Sequence, residues 1–321
     1  MTYSSGTLIQ ATDYNNLAWG GTQGTYTASP NNIAYVMGVG SGLFGYGQDV
    51  TAINTVSAAG PVTATQWSAL LTTLNKAIGH QSGSGSQLTV SPTITAGNKI
   101  TYFATIATAA GTINTNKALY SAQGSTLTGS YGGNLVVSGA DGAAYSGFVD
   151  TNVTFSSANA ARYFFNAGGQ LNFVVGVTNN NANTRSVNLA ALITAMGGVS
   201  AFRNTTNGGK TGSTGTTPTN NTALGYRSLT TSVQNVVTST EAAPYASDNA
   251  YIAVFCNTAD TTNGSISASV VFRTYISTAA DDAFLNAFNL TIQPRVDVVY
   301  PESTYLTTNA WGTPTITWDN A

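Results

Sequence analysis

Charge is what this sequence has least of. Only 7% of its 321 residues are Asp, Glu, Lys or Arg, against about a quarter in soluble globular proteins. The ten basic residues stand singly, so no cluster can neutralise a row of phosphates, and nucleic acid is excluded as a partner. No apolar run approaches the roughly 20 residues that span a bilayer. The N-terminus has no basic region followed by an apolar core, so neither membrane insertion nor export is expected. Cys256 is the single cysteine. An intrachain disulfide and a cysteine-based zinc site are therefore excluded, and within Tyr251-Ile252-Ala253-Val254-Phe255-Cys256 the thiol reads as a small buried hydrophobe at a strand end. Hydrophobic residues nevertheless make up 42% of the chain, too many for a disordered protein. The remainder is largely Gly, Ser, Thr and Asn, a composition of sheets and turns with an uncharged surface.

The densest pattern lies at residues 148–177. Val149, Thr151, Val153 and Phe155 alternate as a strand. Ser156 or Ser157 then caps a short helix, in which Ala160, Ala161, Phe164 and Phe165 share a buried face. Gly168-Gly169 supplies a left-handed stop. Leu171, Phe173, Val175 and Val177 follow on one side of a second strand, with Asn172 opposite.

Residues 1–80 read as a small helical module. Leu8 to Trp19 contains a helix start, with Thr12 or Asp13 as cap and Tyr14, Leu17 and Ala18 on one face. Thr63-Ala64-Thr65-Gln66 fits a capping box, and Trp67, Leu70, Leu71, Leu74 and Ile78 predict a helix over 64–78. The two starts echo each other, with Ile9 to Asn15 lying over Val62 to Ser68 and Leu17 over Leu70. A duplication and a convergent cap-plus-aromatic pattern both account for this. Between them, Gly38, Gly40 and Gly42 lack the helix and the downstream acid of a dinucleotide site. They read as a turn carrying Tyr35, Phe44 and Tyr46 for packing against a neighbouring subunit.

Residues 81–87 have the composition of a Gly/Ser linker, and 88–321 reads as β-rich. Ile100 to Phe103, with Ile106 and Ile113, fits strand or short helix. Asn134 to Val137 reads as a strand. Ser186 is expected to cap a helix with Val187, Leu189, Leu192, Ile193 and Met196 inward, stopped by Gly197-Gly198. Residues 204–221 form a polar loop. Strands are expected at 224–229, 232–238, 249–257, 265–276, 284–292, 295–300 and 303–308, and Trp311 and Trp318 as an exposed aromatic pair. The fold class is mainly β with a few short helices, a small N-terminal helical module preceding β-sandwich or jelly-roll-like regions.

Chemistry is scarce. His80 is the single histidine, beyond a helix C-terminus with no Cys or acid beside it, and reads as structural. Asp281-Asp282 is the single adjacent acidic pair and reads as a solvated turn, with a calcium or magnesium site as the alternative. No catalytic, cofactor or metal residues are assigned, and no enzymatic activity or cofactor is expected.

The run Ala161-Arg162-Tyr163-Phe164-Phe165-Asn166-Ala167-Gly168-Gly169-Gln170 resembles a signature of virion structural and tail-fibre-like proteins of tailed bacteriophages, notably marine myoviruses related to the T4 group. Tyr3 to Asn15, Val62 to Trp67 running on to Gly79-His80-Gln81, Val270 to Thr274, and Pro301 to Leu306 are similar as well. The resemblance implies a virion component assembled in a bacterial cytoplasm, as a tail, baseplate, neck or fibre subunit. Its partners would be other copies of itself, a trimer by analogy with fibres, and other phage structural proteins. Residues 1–80 would dock it. A head-decoration protein and an adhesin recognising host surface glycan through the 204–221 loop are the alternatives.

Overall fold

The computed structural model describes residues 10–24, 32–89, 102–201, 210–211, 219–220, 229–241, 245–258, 267–279, 287–307 and 310–321. Its helices are α1 (Ala11–Trp19), α2 (Ile33–Met37), α3 (Ala64–Ser82), α4 (Phe103–Thr115), α5 (Ala158–Asn166) and α6 (Thr184–Met196). Its strands are β1 (Gln123–Leu127), β2 (Leu135–Gly139), β3 (Tyr145–Thr154), β4 (Gln170–Asn179), β5 (Gly198–Ala201), β6 (Lys210–Thr211), β7 (Thr219–Asn220), β8 (Gln234–Thr240), β9 (Asn249–Phe255), β10 (Ser269–Thr278), β11 (Phe288–Pro301) and β12 (Thr315–Asn320). The fold is mainly β with short helices, as the sequence implies. The expected domain boundary is not where the chain divides. One compact unit comprises Met1–Ser125, Arg162–Gly168 and Pro301–Gly312, and the other Thr126–Ala161, Gly169–Tyr300 and Thr313–Ala321.

In the first unit, α3 begins at the capping box foreseen. The Gln66 N–H donates to Thr63 Oγ1 at 3.2 Å, and Gln66 Oε1 accepts from the Thr63 N–H at 2.8 Å. α1 starts differently from expectation. Asp13 lies inside the first turn and its Oδ2 accepts from the Gln10 N–H at 3.0 Å, so neither Thr12 nor Asp13 is the cap residue. Tyr14 and Trp67, equivalent positions in the two echoing starts, pack edge to face with ring centroids 5.3 Å apart, and Leu17 and Leu70 are both fully buried.

α3 continues past Ile78 through Gly79 and ends where Gly83 takes φ +85°. The stretch expected as a linker is therefore fixed. Gln81 is buried, its Nε2 donating to Tyr46 Oη at 2.9 Å and to the Ile113 carbonyl at 3.0 Å. Ser84–Ser86 form a 3-10 turn, and Asn75 bonds both the N–H and the carbonyl of Leu88. Gly/Ser composition gives flexibility only where the backbone has no partner, and here side chains supply partners. The strand-or-helix ambiguity resolves as α4, which buries Phe103, Ile106, Ala110 and Ile113 at helical spacing.

The second unit holds two six-stranded sheets. One runs β1-β11-β4-β5-β6, with β2 also on β11; the other runs β12-β3-β10-β9-β8-β7. Their inner faces meet as a sandwich, where Phe173 of β4 stacks on Phe272 of β10 with centroids 4.9 Å apart and planes 3° from parallel. β11 is one strand where two were expected. The Pro294 carbonyl accepts from the Gly132 N–H at 3.0 Å, so the position lacking an N–H faces that loop and the ladder with β4 loses nothing. α6 is capped by Asn183, whose Oδ1 accepts from the Ser186 N–H at 2.9 Å. Val187 is exposed against expectation, whereas Leu189, Leu192, Ile193 and Met196 are buried. Residues 303–306 are bends and not strand. Within 204–221, β6 pairs with β5 and β7 with β8; the rest of that loop and residues 224–228 lie outside the described residues. Trp311 is buried, and Trp318, half-buried on β12, lies close over Gly132 and Gly133, so neither is an exposed aromatic.

Candidate functional site

Among the described residues, those singled out by sequence make packing and hydrogen-bond contacts within the chain. In the resemblance-bearing run, Ser157 Oγ accepts from the Ala160 N–H at 3.0 Å and caps α5. One turn on, Arg162 and Asn166 fall four residues apart on one helix face. Arg162 donates to the carbonyls of Phe44 at 2.6 Å and Val39 at 2.5 Å. Asn166 Nδ2 lies within bonding reach of the carbonyls of Gly42, Phe44 and Gly45. Both side chains are almost completely buried. The glycine-rich turn is thus gripped from within. Gly45 sits at φ +95°, and a Cβ there would strike the Val39 carbonyl, so glycine serves close backbone approach. The three aromatics of that turn pack inside the chain. Tyr35 and Phe44 have ring centroids 4.3 Å apart, and fully buried Tyr46 lies 4.9 Å from the His80 ring.

His80 does have an acid beside it, distant in sequence. Its Nδ1 is 3.0 Å from Glu302 Oε1, with the imidazole completely buried and its Nε2 without a partner. Burial would raise the Glu302 carboxyl. The bond to His80 and the N–H groups of Tyr305 and Thr304 outweigh it and hold the group below its ordinary value. The pair clamps the 302–305 bend onto α3. Cys256 is buried, its Sγ 3.0 Å from the Thr258 carbonyl. Asp281-Asp282 lies outside the described residues. Among the described residues no three His, Cys, Asp or Glu side chains gather as a metal site, and no helix is long and apolar enough to cross a membrane. A groove of about 510 Å³ beside α3 and α4 is lined by Ile78, Ser82, Leu88, Ala104, Thr108 and Thr112 among others, with no titratable side chain to do chemistry.

The arrangement best suited to meeting a partner is the outer face of the β12-β3-β10-β9-β8 sheet. Strand alternation turns Val149, Thr151, Phe272, Thr274, Ile252 and Val254 inward and leaves Phe148, Asp150, Arg273, Tyr275, Tyr251 and Phe255 outward. Register places Arg273 opposite Asp150, and Tyr275 opposite both Phe148 and Tyr251. Arg273 binds Asp150 through two bonds of 2.7 and 2.6 Å. Its guanidinium lies 3.7 Å from the Phe148 centroid and 5.4 Å from that of Phe255. The bond to Asp150 raises the already high pKa of Arg273, fixing the cation. Tyr251 and Tyr275 stack at 4.6 Å and 17°. Tyr275 Oη also lies 2.8 Å from Ser146 Oγ. Burial, followed by the neighbouring Tyr275, raises the Tyr251 phenol, so that ring stays neutral at physiological pH.

This face is half-buried, rigid and electrically self-satisfied. Each of these rings has one face against a neighbouring ring or the guanidinium, which leaves edges, hydroxyls and the opposite ring faces to a partner. The signal for it was present in Val271-Phe272-Arg273-Thr274-Tyr275, whose alternate residues face outward. What the sequence hid was register, which sets Asp150 from 123 residues away against Arg273. Compared with family models, curated proteins and solved structures, the chain matches none of them.

Proposed function

We propose that this chain is a structural subunit of a tailed-phage virion, in the tail, baseplate, neck or fibre, working through packing against other copies and neighbouring proteins and not as an enzyme. The observation that carries this reading is the fate of the charged groups. Among the described residues every arginine is engaged within the chain: Arg162 on backbone carbonyls, and Arg185, Arg273 and Arg295 on Asp248, Asp150 and Asp297. The histidine is spent on Glu302. What remains for the surface is mostly amide, hydroxyl and aromatic edge over a rigid β framework. Such a surface resists close approach of other copies very little, and among the described residues no three His, Cys, Asp or Glu side chains gather for chemistry. Antibody labelling of intact particles from a phage encoding the chain tests the reading. Regular density on the tail, baseplate, neck or fibre supports it, and absence of the chain from washed particles overturns it.

A host-glycan adhesin is the second reading, favoured by the aromatic face of Phe148, Tyr251, Phe255 and Tyr275. One face of each ring is taken by a neighbouring ring or by the Arg273 guanidinium, which halves the area open to a sugar and ranks the adhesin below the structural role. Particles carrying Tyr251→Ala would adsorb to host cells at the normal rate under the first reading and poorly under the second.

A further inference from the structure

Among the described residues β12 is the outermost strand of its sheet, paired on one side with β3 alone. The hydrogen-bond phase of that pairing is fixed at its end. The Phe148 N–H donates to the Ala321 carbonyl at 2.8 Å, and the Ala321 N–H donates back to Phe148 at 3.1 Å. In an antiparallel ladder bonded and non-bonded pairs alternate. Thr315, Thr317 and Asp319 therefore spend their backbone groups on β3, while those of Ile316, Trp318 and Asn320 point away from the sheet. Natural edges are guarded by lysine, a bulge, or proline within the strand. β12 has none of these and carries one charge, Asp319.

We infer that β12 is a self-pairing edge: two copies of this chain join antiparallel, β12 to β12, about a two-fold axis through Thr317. Four centres bring the outward backbone groups into bonding phase, and the one at Ile316 overlaps no more of the strand than Thr315–Thr317. An axis at Asp319 sets two carboxylates opposite each other, which is destabilising. An axis at Trp318 sets the two indoles face to face across it. The axis at Thr317 places Ile316 opposite the partner's Trp318 on the inner side, Thr317 opposite its equivalent, and Thr315 opposite the partner's Asp319 on the outer side. Each Ile316–Trp318 pair exchanges both backbone bonds. Pro314, buried and without an N–H, ends the ladder on each side. The apolar pair lies on the side where Trp318 already covers Gly132 and Gly133, and a hydroxyl faces the carboxylate. The joined sheet is continuous, so the two aromatic outer faces become one surface. A strand has one free edge and one partner consumes it, so the contact unit is two copies and not the three expected from fibres.

The proposal rests on the structural-subunit reading for its setting, and it is tested on purified full-length chain, so its failure and that of the virion role are separable. Sedimentation at micromolar concentration should give a dimer. Thr317 is exposed and its side chain touches no core, so Thr317→Lys and Thr317→Glu leave the fold intact and set like charges across the axis. Each alone should raise the dimer Kd roughly tenfold, and an equal mixture of the two should dimerise as well as the native chain or better. Ile316→Pro removes an N–H that faces away from β3, so it should give a folded monomer. A trimer, or a dimer unaffected by all three changes, overturns the inference. So does a dimer that Thr317→Lys tightens and Thr317→Glu loosens, because that pattern places Thr317 opposite Asp319 and the axis at Trp318.

Discussion

Arg162 and Asn166 decide whether the glycine-rich turn has a structure at all. Between them they answer the carbonyls of Val39, Gly42, Phe44 and Gly45, and losing a buried bond of this kind costs about 1–3 kcal/mol. Arg162→Leu should therefore cost about 3 kcal/mol in urea unfolding and Asn166→Ala about 1–2 kcal/mol. Both side chains bond Phe44, so the double variant should fall short of the sum; strict additivity would show that the two grips are independent. Glu302 gives a prediction in pH. Its carboxyl is held below its ordinary value of 4.5, so the folded state binds its proton less readily than the unfolded state. Its contribution is fully present above that value and is lost as pH falls through the lower, folded one. Stability of the native chain should fall on acidification below about pH 4.5. Glu302→Gln should be less stable by about 1–2 kcal/mol at pH 7 and should fall less steeply in acid. Parallel acid limbs for the two proteins would remove Glu302 from the account.

Among the elements, those with local signatures were legible: the α3 capping box, the β3-α5-β4 core, the spacing of Leu189 and Ile193. The linker was misread because its partners, Tyr46 and Ile113 for Gln81, lie more than 30 residues away in either direction. The candidate face was half legible, since alternation names Arg273 and Tyr275 but only register supplies Asp150 and Tyr251. Gly79 shows the same limit. Propensity alone says that alanine inside α3 stabilises by about 1 kcal/mol. A Cβ there would sit 2.5 Å from the Tyr305 ring, on a bend that Glu302 anchors, and overpacking of that kind costs about 1–3 kcal/mol. The clash is the larger effect, so Gly79→Ala should lower the unfolding midpoint. In a Tyr305→Ala background the ring is gone and the same change should raise it. A destabilising Gly79→Ala in both backgrounds would locate the cost elsewhere than Tyr305.

For the molecule as a whole, the division into units changes what a truncation means. The sequence suggests that removing residues 1–80 frees a folded 88–321 domain. The first unit, however, is assembled from three separate stretches of chain, and 88–321 keeps parts of it without their partners. Phe103 would lose Trp67, whose ring centroid is 6.0 Å away. Arg162 and Asn166 would lose every carbonyl they bind on residues 39–45, and Glu302 would lose His80. Exposed apolar helix and unpaired buried polar groups together exceed the few kcal/mol by which a domain is stable, and transiently exposed apolar surface aggregates. The 88–321 fragment expressed alone should therefore elute as aggregate and bind a hydrophobic dye. Co-expression with residues 1–87 should recover a soluble complex, because the missing contacts are non-covalent. A soluble, monomeric 88–321 with a sharp unfolding transition would show that the second unit tolerates these orphaned segments. Only in that case would a detachable docking module at residues 1–80 be physically reasonable.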